Sequence, residues 1–291
     1  MRIAVTGSKG QVATSLLERA GPEIEIVTLA RPAVALEDRE SVLAAVAAAR
    51  PDVVINAAAY TAVDKAESEP GLAMRVNGAG AGHVAEAAAA IGAPLLHIST
   101  DYVFDGTLDR PYREDDPTGP TGVYGRSKLE GERLVAELCP NGAVLRTAWV
   151  YSPFGANFVR TMLRLNETRD AVGVVADQRG NPTSALDIAD ALIAIARRIR
   201  DDKSPALRGV FHMTGTGEAT WADMAEAVFS EARARGRRET AVARIATADY
   251  PTPARRPANS RLDNAKLGRV YGLALPDWRR SVAACCARLV G

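Results

Sequence analysis

Residues 2–6, Arg-Ile-Ala-Val-Thr, form a short apolar run that ends on Gly7-Ser-Lys-Gly10-Gln-Val-Ala13, and a helical pattern follows over residues 10–20. A strand that turns through closely spaced glycines into a helix is the opening of a βαβ unit. The same alternation continues through the first half of the chain. Strands are expected at 24–29, 53–55, 95–98 and 143–147. Helices are expected at 41–50, stopped by Pro51, at 71–91, closed by Gly92, and at 124–138. Such alternation builds a parallel sheet with helices on both faces, and right-handed crossovers wind it both ways. The expected fold is α/β: a doubly wound parallel-sheet Rossmann fold with a smaller C-terminal α/β substrate lobe. Ligands of such sheets bind outside the carboxyl ends of the strands. The residues just after strands, Gly7, Asn56, Thr100 and Trp149, are therefore the first candidates.

The second half has a different character. Residues 177–183 are a turn-rich loop before a helix at 184–200, and 201–209 reads as a linker. A strand over 210–213, a helix over 220–235, a proline- and arginine-rich stretch at 249–261 and a short helix at 276–290 follow. The expected division is a dinucleotide-binding domain over 1–150 and a mainly substrate-binding lobe over 151–291, interleaved with the last elements of the sheet. The loop 105–122, with its acids and prolines, reads as a solvated lid or rim.

Composition removes several classes of function. With 36 basic and 35 acidic residues the net charge is +1, which provides no field for nucleic acid or an anionic membrane. No apolar run reaches the roughly 18 residues of a membrane span. The chain enters a strand at once, where a secretory signal would have a basic start and a longer apolar run. Cys139, Cys285 and Cys286 make neither a disulfide framework nor a zinc spacing, so a reducing cytoplasm is the expected location. His83, His97 and His212 are scattered, and His97 reads as a satisfied core residue inside a strand.

Gly7 and Gly10 permit a tight turn and let backbone amides approach a pyrophosphate at the positive end of a helix. Ala13 is small enough for close helix–strand packing. After the second strand, where a carboxylate would accept from a ribose 2′-hydroxyl, the chain has Ala30-Arg31. A guanidinium there suits a 2′-phosphate, so NADPH is the expected cofactor, with NADH the alternative. One helical turn separates Tyr124 from Lys128, so both can face one cleft. A phenol titrates near ~10 and an adjacent ammonium lowers that value. The expected roles are proton donation to a carbonyl oxygen by Tyr124, support of the phenolate and the nicotinamide ribose by Lys128, and positioning of the carbonyl by the Thr100 hydroxyl.

Taken with Pro51–Glu67, Ser99-Thr-Asp-Tyr-Val-Phe-Asp-Gly106, Tyr124–Glu130, Arg146–Tyr151, Asp177–Thr183 and Arg256–Arg261, these segments carry a resemblance that spans almost the whole chain. The chain resembles the extended short-chain dehydrogenases/reductases. Within them it is similar to the branch that reduces the 4-keto group of dTDP-4-dehydro-6-deoxy-L-mannose (dTDP-4-dehydro-β-L-rhamnose) to give dTDP-L-rhamnose. The resemblance implies that Gly10, Gln11 and Val12 meet the cofactor phosphates, and that Ala59, Tyr60 and Thr61 line the nicotinamide side. It also implies that Thr100, Asp101 and Trp149 contact the sugar, and that the loop holding Arg255, Arg256 and Arg261 caps the dTDP end. Family members often carry acidic residues where this chain has Ala30-Arg31 and Ala35, followed by Leu36. Some hold magnesium between subunits through a glutamate whose position here is Ser15, so no metal site is expected. A monomer or homodimer remains open. Three rival readings stand beside this one: a related nucleotide-sugar ketoreductase, epimerase or dehydratase; an NADP-binding regulatory subunit resembling that of methionine adenosyltransferase; and a structural oligomerisation domain. Asp101-Tyr102 after Thr100 lacks the acidic pair of a dehydratase. The full set Thr100, Tyr124 and Lys128 favours an enzyme over a regulator.

Overall fold

Ile3, Ala4 and Val5 have no exposed surface, which is the signature of a strand covered on both faces. In the computed structural model, which describes residues 1–291, that strand lies inside a six-stranded sheet, one strand in from its edge. The strands are β1 (Arg2–Thr6), β2 (Glu25–Leu29), β3 (Val53–Asn56), β4 (Leu95–Thr100), β5 (Gly142–Thr147) and β6 (Gly209–His212). All pairings are parallel, in the order β6-β5-β4-β3-β1-β2. The chain builds outward from β1 to β2, then returns to the other side of β1 with β3. That reversal leaves a crevice at the carboxyl ends of β1 and β3.

The principal helices are α1 (Gln11–Arg19), α2 (Arg39–Ala49), α3 (Gly80–Ala90), α4 (Val123–Leu138), α5 (Ala185–Asp201), α6 (Trp221–Ala234) and α7 (Trp278–Val290). On one face Ile3, Val5, Ile55 and Leu145 pack with Leu16 of α1 and Ile188 and Leu192 of α5. On the other, Ala4, Val54 and Leu95 pack with Val42 of α2, Val84 of α3 and Val135 of α4. Burial on both faces explains why these strands read as continuous apolar runs. A third cluster forms the smaller lobe, from Tyr151, Met162, Val228 of α6 and Val282 and Cys285 of α7. No helix is long and apolar enough to cross a membrane.

Several sequence expectations change. The helix expected at 71–91 is broken into Pro70–Ala73, a π-helical turn over Met74–Ala79, and α3. The wider turn carries Asn77 inward, where its side chain is fully occupied, and Gly80 is needed because a Cβ there would lie 2.8 Å from that of Leu36. The loop 105–122 is more than a solvated rim. Tyr112 stacks on Phe104 at 4.2 Å, both buried with Leu262. The expected linker 201–209 contains a 3-10 turn, Pro205–Leu207, that buries Leu207. β4 extends two residues beyond the expected end, so Thr100 is its last residue. A helix at Phe158–Asn166, another at Ala265–Tyr271 and a parallel pair, Ala171–Val175 with Ala241–Ile245, were not anticipated. Residues beyond 150 supply β6 and α5 to the first layer, so chain order and spatial layers do not divide at one point.

Candidate active site

Because the sheet is parallel, Gly7, Ala30, Ala57, Asp101 and Ala148 all leave it at its carboxyl end, with Thr100 the last paired residue of β4. Gly7 takes φ +84°, a conformation costly for any side chain, and its N–H donates to the Leu29 carbonyl at 2.7 Å. Gly10 is the N-cap of α1 and has no side-chain cap. A Cβ on Gly10 would meet nothing within 4 Å. The first turn of α1 therefore presents backbone N–H groups to open space, without an acidic residue in that turn. This is the arrangement that receives a pyrophosphate, and it fits the expected dinucleotide. The Gln11 side chain turns away to accept from Ser152 at 2.7 Å and Asn157 at 3.0 Å, tying α1 to the smaller lobe. Val12 packs against the core.

At the end of β2 the Arg31 guanidinium is two-thirds exposed and paired with Glu37. Leu36 is packed inward against Gly80, and its carbonyl accepts from His83. After β3, Ala59, Tyr60 and Thr61 run along the crevice. Asn77 clamps Tyr60 at both backbone groups, accepting from its N–H at 2.7 Å and donating to its carbonyl at 3.0 Å. The Tyr60 hydroxyl donates to Glu69 at 2.7 Å, and burial with that carboxylate pushes the phenol up.

Thr100, Asp101, Tyr124 and Lys128 come together at the ends of β4 and the start of α4. Tyr124 meets Tyr102 edge-to-face with centroids 5.6 Å apart. The Thr100 hydroxyl donates to Asp101 Oδ1 at 3.0 Å and accepts from the Tyr102 N–H at 3.2 Å. Asp101 is 3 % exposed with Oδ2 unpartnered. Burial lifts its carboxyl to about 6, against the pull of the Ser260 and Thr100 hydroxyls. Burial also lifts the Tyr124 phenol above its ordinary value, with the Thr100 hydroxyl pulling the other way. The sequence reading expected Lys128 to lower that value. In the structure Lys128 Nζ donates to the Ile98 carbonyl at 2.7 Å and faces His97 Nε2 at 3.5 Å, and desolvation takes its own value down to about 8. Burial, not the ammonium, dominates the tyrosine here.

The 61–67 segment also positions the site. Glu67 accepts from the Val123 N–H at 2.8 Å, holding the first turn of α4. Asp64 accepts from Arg256 Nη2 at 2.7 Å and from the Ala254 N–H at 3.2 Å, while Arg256 Nη1 reaches the Tyr102 hydroxyl at 3.4 Å. Arg256 thus lies one residue removed from Tyr124, at the wall of a groove of about 1130 Å³ that Arg179, Arg255, Arg261 and Tyr250 also line. Trp149 takes φ +48° and stacks on Trp221, with centroids 3.6 Å and planes 7° apart. A Cβ on Gly180 would sit 2.4 Å from the Trp149 ring, so the indole is held tightly among protein groups. Sequence reasoning singled out neither Asn77, Glu67 nor Trp221. Each acts through a contact distant in sequence, and only the motif around Glu67 had a signal.

A parallel sheet with an uncapped glycine turn at its switch point, and a Tyr–Lys pair one helical turn apart beside a strand-terminal threonine, defines a Rossmann-fold oxidoreductase of the short-chain dehydrogenase/reductase class. The family model described as "RmlD substrate binding domain" matches residues 1–290. A dTDP-4-dehydrorhamnose reductase of Sinorhizobium fredii is 54% identical over 281 residues, covering 97% of this chain and 95% of that one. A crystal structure of a dTDP-4-dehydrorhamnose reductase from Clostridium acetobutylicum superposes with a TM-score of 0.92 at 36% identity, covering 99% of both chains. That of the Bacillus anthracis enzyme in complex with NADP gives 0.92 at 34%, again over 99% of both. The chain belongs to the dTDP-4-dehydrorhamnose reductase family.

Proposed function

We propose that the protein reduces the 4-keto group of dTDP-4-dehydro-β-L-rhamnose to give dTDP-L-rhamnose, with NADPH as reductant. The observation that carries this reading is the convergence of Thr100, Asp101, Tyr124 and Lys128 beside the free N-terminal turn of α1, in a chain 54% identical to a dTDP-4-dehydrorhamnose reductase. The complex of the Bacillus anthracis relative with NADP supports the choice of nucleotide. The first turn of α1, Gly7 and Gly10 hold the pyrophosphate. Arg31, exposed at the end of β2, meets the 2′-phosphate in exchange for Glu37. Ala59, Tyr60 and Thr61 line the nicotinamide side, on a backbone locked by Asn77.

The nicotinamide supplies hydride to the carbonyl carbon. Tyr124 supplies the proton to the carbonyl oxygen, and a phenol pushed up by burial is fully protonated at neutral pH. Thr100 orients that oxygen, and Lys128 approaches the nicotinamide ribose. Arg256 and its neighbours in the groove receive the diphosphate of the dTDP group. Trp149, braced by Trp221, borders the sugar. Residues 1–150 act mainly as the dinucleotide domain and 151–291 mainly as the substrate lobe, and the cytoplasm is the proposed location.

The test is loss of reduced-nicotinamide absorbance with dTDP-4-keto-6-deoxyglucose and the 3,5-epimerase that makes the L-configured ketone. Oxidation that needs both is the expected result. Oxidation without epimerase would reassign the protein to a D-sugar ketone, and none at all would reject the reading.

A further inference from the structure

Beneath the site, Thr6, Asn56, His97 and Lys128, one each from β1, β3, β4 and α4, form a buried polar row. None is more than 3 % exposed. The hydrogens of this row can be assigned from its partners. The Ala57 and Ala58 N–H groups both donate to Thr6 Oγ1, at 3.1 and 3.0 Å. A hydroxyl has two acceptor sites and one hydrogen, so the Thr6 hydrogen goes to its remaining neighbour, Asn56 Oδ1, at 2.7 Å. That fixes the amide, and Asn56 Nδ2 then faces His97 Nδ1 at 3.0 Å as a donor. A neutral imidazole has one acceptor nitrogen and one N–H. His97 is neutral because burial and the nearby Lys128 hold it well below its ordinary value. Its Nδ1 therefore accepts, and its hydrogen is on Nε2, the atom that faces Lys128 Nζ at 3.5 Å.

We infer that His97 is a positioning residue for Lys128: it presents an N–H rather than a lone pair to Nζ, and so disfavours the ammonium form. The lysine keeps one N–H for the Ile98 carbonyl and gives up its proton at a lower pH than an ordinary lysine. The inference rests on the reading of Lys128 as the partner of Tyr124. Burial already takes Lys128 down, with Glu132 one turn along α4 opposing it. Glu132 is itself committed to Arg146 of β5 at 2.7 Å and to Ser99 of β4 at 2.5 Å. Among the other charged or titratable groups on elements packed against α4, Arg75 of the π-helical turn is exposed to solvent, and the rest have partners elsewhere: Asp101 with Thr100, Tyr102 and Asp64 with Arg256, Lys65 with Glu69, Glu86 with Arg39, and His83 with the Leu36 carbonyl.

The test is NMR on the protein without added nucleotide. In protein labelled with ¹⁵N-histidine, the His97 resonance, identified by its loss in His97→Gln, is expected to report the neutral Nε2–H tautomer across neutral pH. The Nδ1–H tautomer would overturn the inference. In protein labelled with ¹³Cε-lysine, Lys128 is expected to titrate below the other lysines. Asn56→Asp makes the ring donate from Nδ1 and turns Nε2 into an acceptor. His97→Gln lets an amide oxygen turn to Nζ without adding charge. In both, the Lys128 titration should move up by about one pH unit or more. A purely structural His97 would lower the urea midpoint and leave that titration in place, which would also overturn the inference. Should Asn56→Asp not fold, the wild-type tautomer and His97→Gln still decide. Neither readout needs turnover, so a failed reductase assay would leave the result standing.

Discussion

At the scale of single residues, the site depends on two burial effects of opposite use. Tyr124 is kept protonated by desolvation, so its hydroxyl is available at neutral pH for the proposed proton transfer. Tyr124→Phe removes only that hydroxyl. Turnover should fall roughly 100-fold or more while NADPH binding, followed by nucleotide fluorescence, stays nearly unchanged. Turnover at the wild-type rate would reject the mechanism. Asp101 is raised from 3.8 to about 6. A carboxyl whose folded value is raised stabilises the fold fully below its unfolded value and loses that contribution as pH climbs through the folded one. Between those values the native protein should therefore lose stability of order 2–3 kcal/mol. Urea midpoints across this range should fall for the native protein and stay flatter for Asp101→Asn. Parallel curves would mean that Asp101 stays charged in the fold.

At the scale of elements, the helix of the candidate site, α4, is set by what its glycines allow. A Cβ on Gly125 would lie 2.2 Å from the Tyr102 carbonyl oxygen, and one on Gly131 2.2 Å from the Asn77 carbonyl oxygen. Both obstacles are backbone, so neither can swing aside. The α4 helix thus lies directly on the segment after β4 and on the π-helical turn, which aligns Tyr124 with Thr100 and Ser127 with Asn77. Gly125→Ala should push α4 off this seat, at a cost of about 1–3 kcal/mol in urea unfolding, and reduce kcat. An unchanged midpoint would show that the seat is soft. The π-helical turn explains why periodicity read 71–91 as one helix: the apolar pattern is nearly continuous, and only the side-chain demands of Asn77 reveal the extra residue.

At the scale of the whole molecule, the late arginine loop is joined to the site by Asp64, which holds both Arg256 and the Ala254 amide. The ion pair is partly exposed, so its loss should cost little stability, at most about 1 kcal/mol. Arg256→Ala should leave the thermal midpoint almost unmoved and raise KM for the dTDP-sugar several-fold more than KM for NADPH. Equal effects on both would remove this loop from substrate recognition.

The alternation of apolar runs, the glycine turn and the Tyr–Lys spacing are local, short-range properties, so the sequence alone determined the Rossmann core and put forward Thr100, Tyr124 and Lys128 as candidates. Strand order follows from crossovers, and the elements of the first half were legible to within a few residues. Tertiary structure alone decided the rest. The pair of short strands Ala171–Val175 and Ala241–Ile245 carries weak patterns because many of their residues are exposed. The stacking of Trp149 on Trp221, the burial of Tyr112 and the inward turn of Asn77 each need a partner from a distant segment. The same holds for Lys128. Spacing set it beside Tyr124, but His97 of β4, oriented through Asn56 and Thr6, determines which atom it faces. Hydrogen-bond direction in a buried row is a property of all its members together, and no single stretch of sequence contains them.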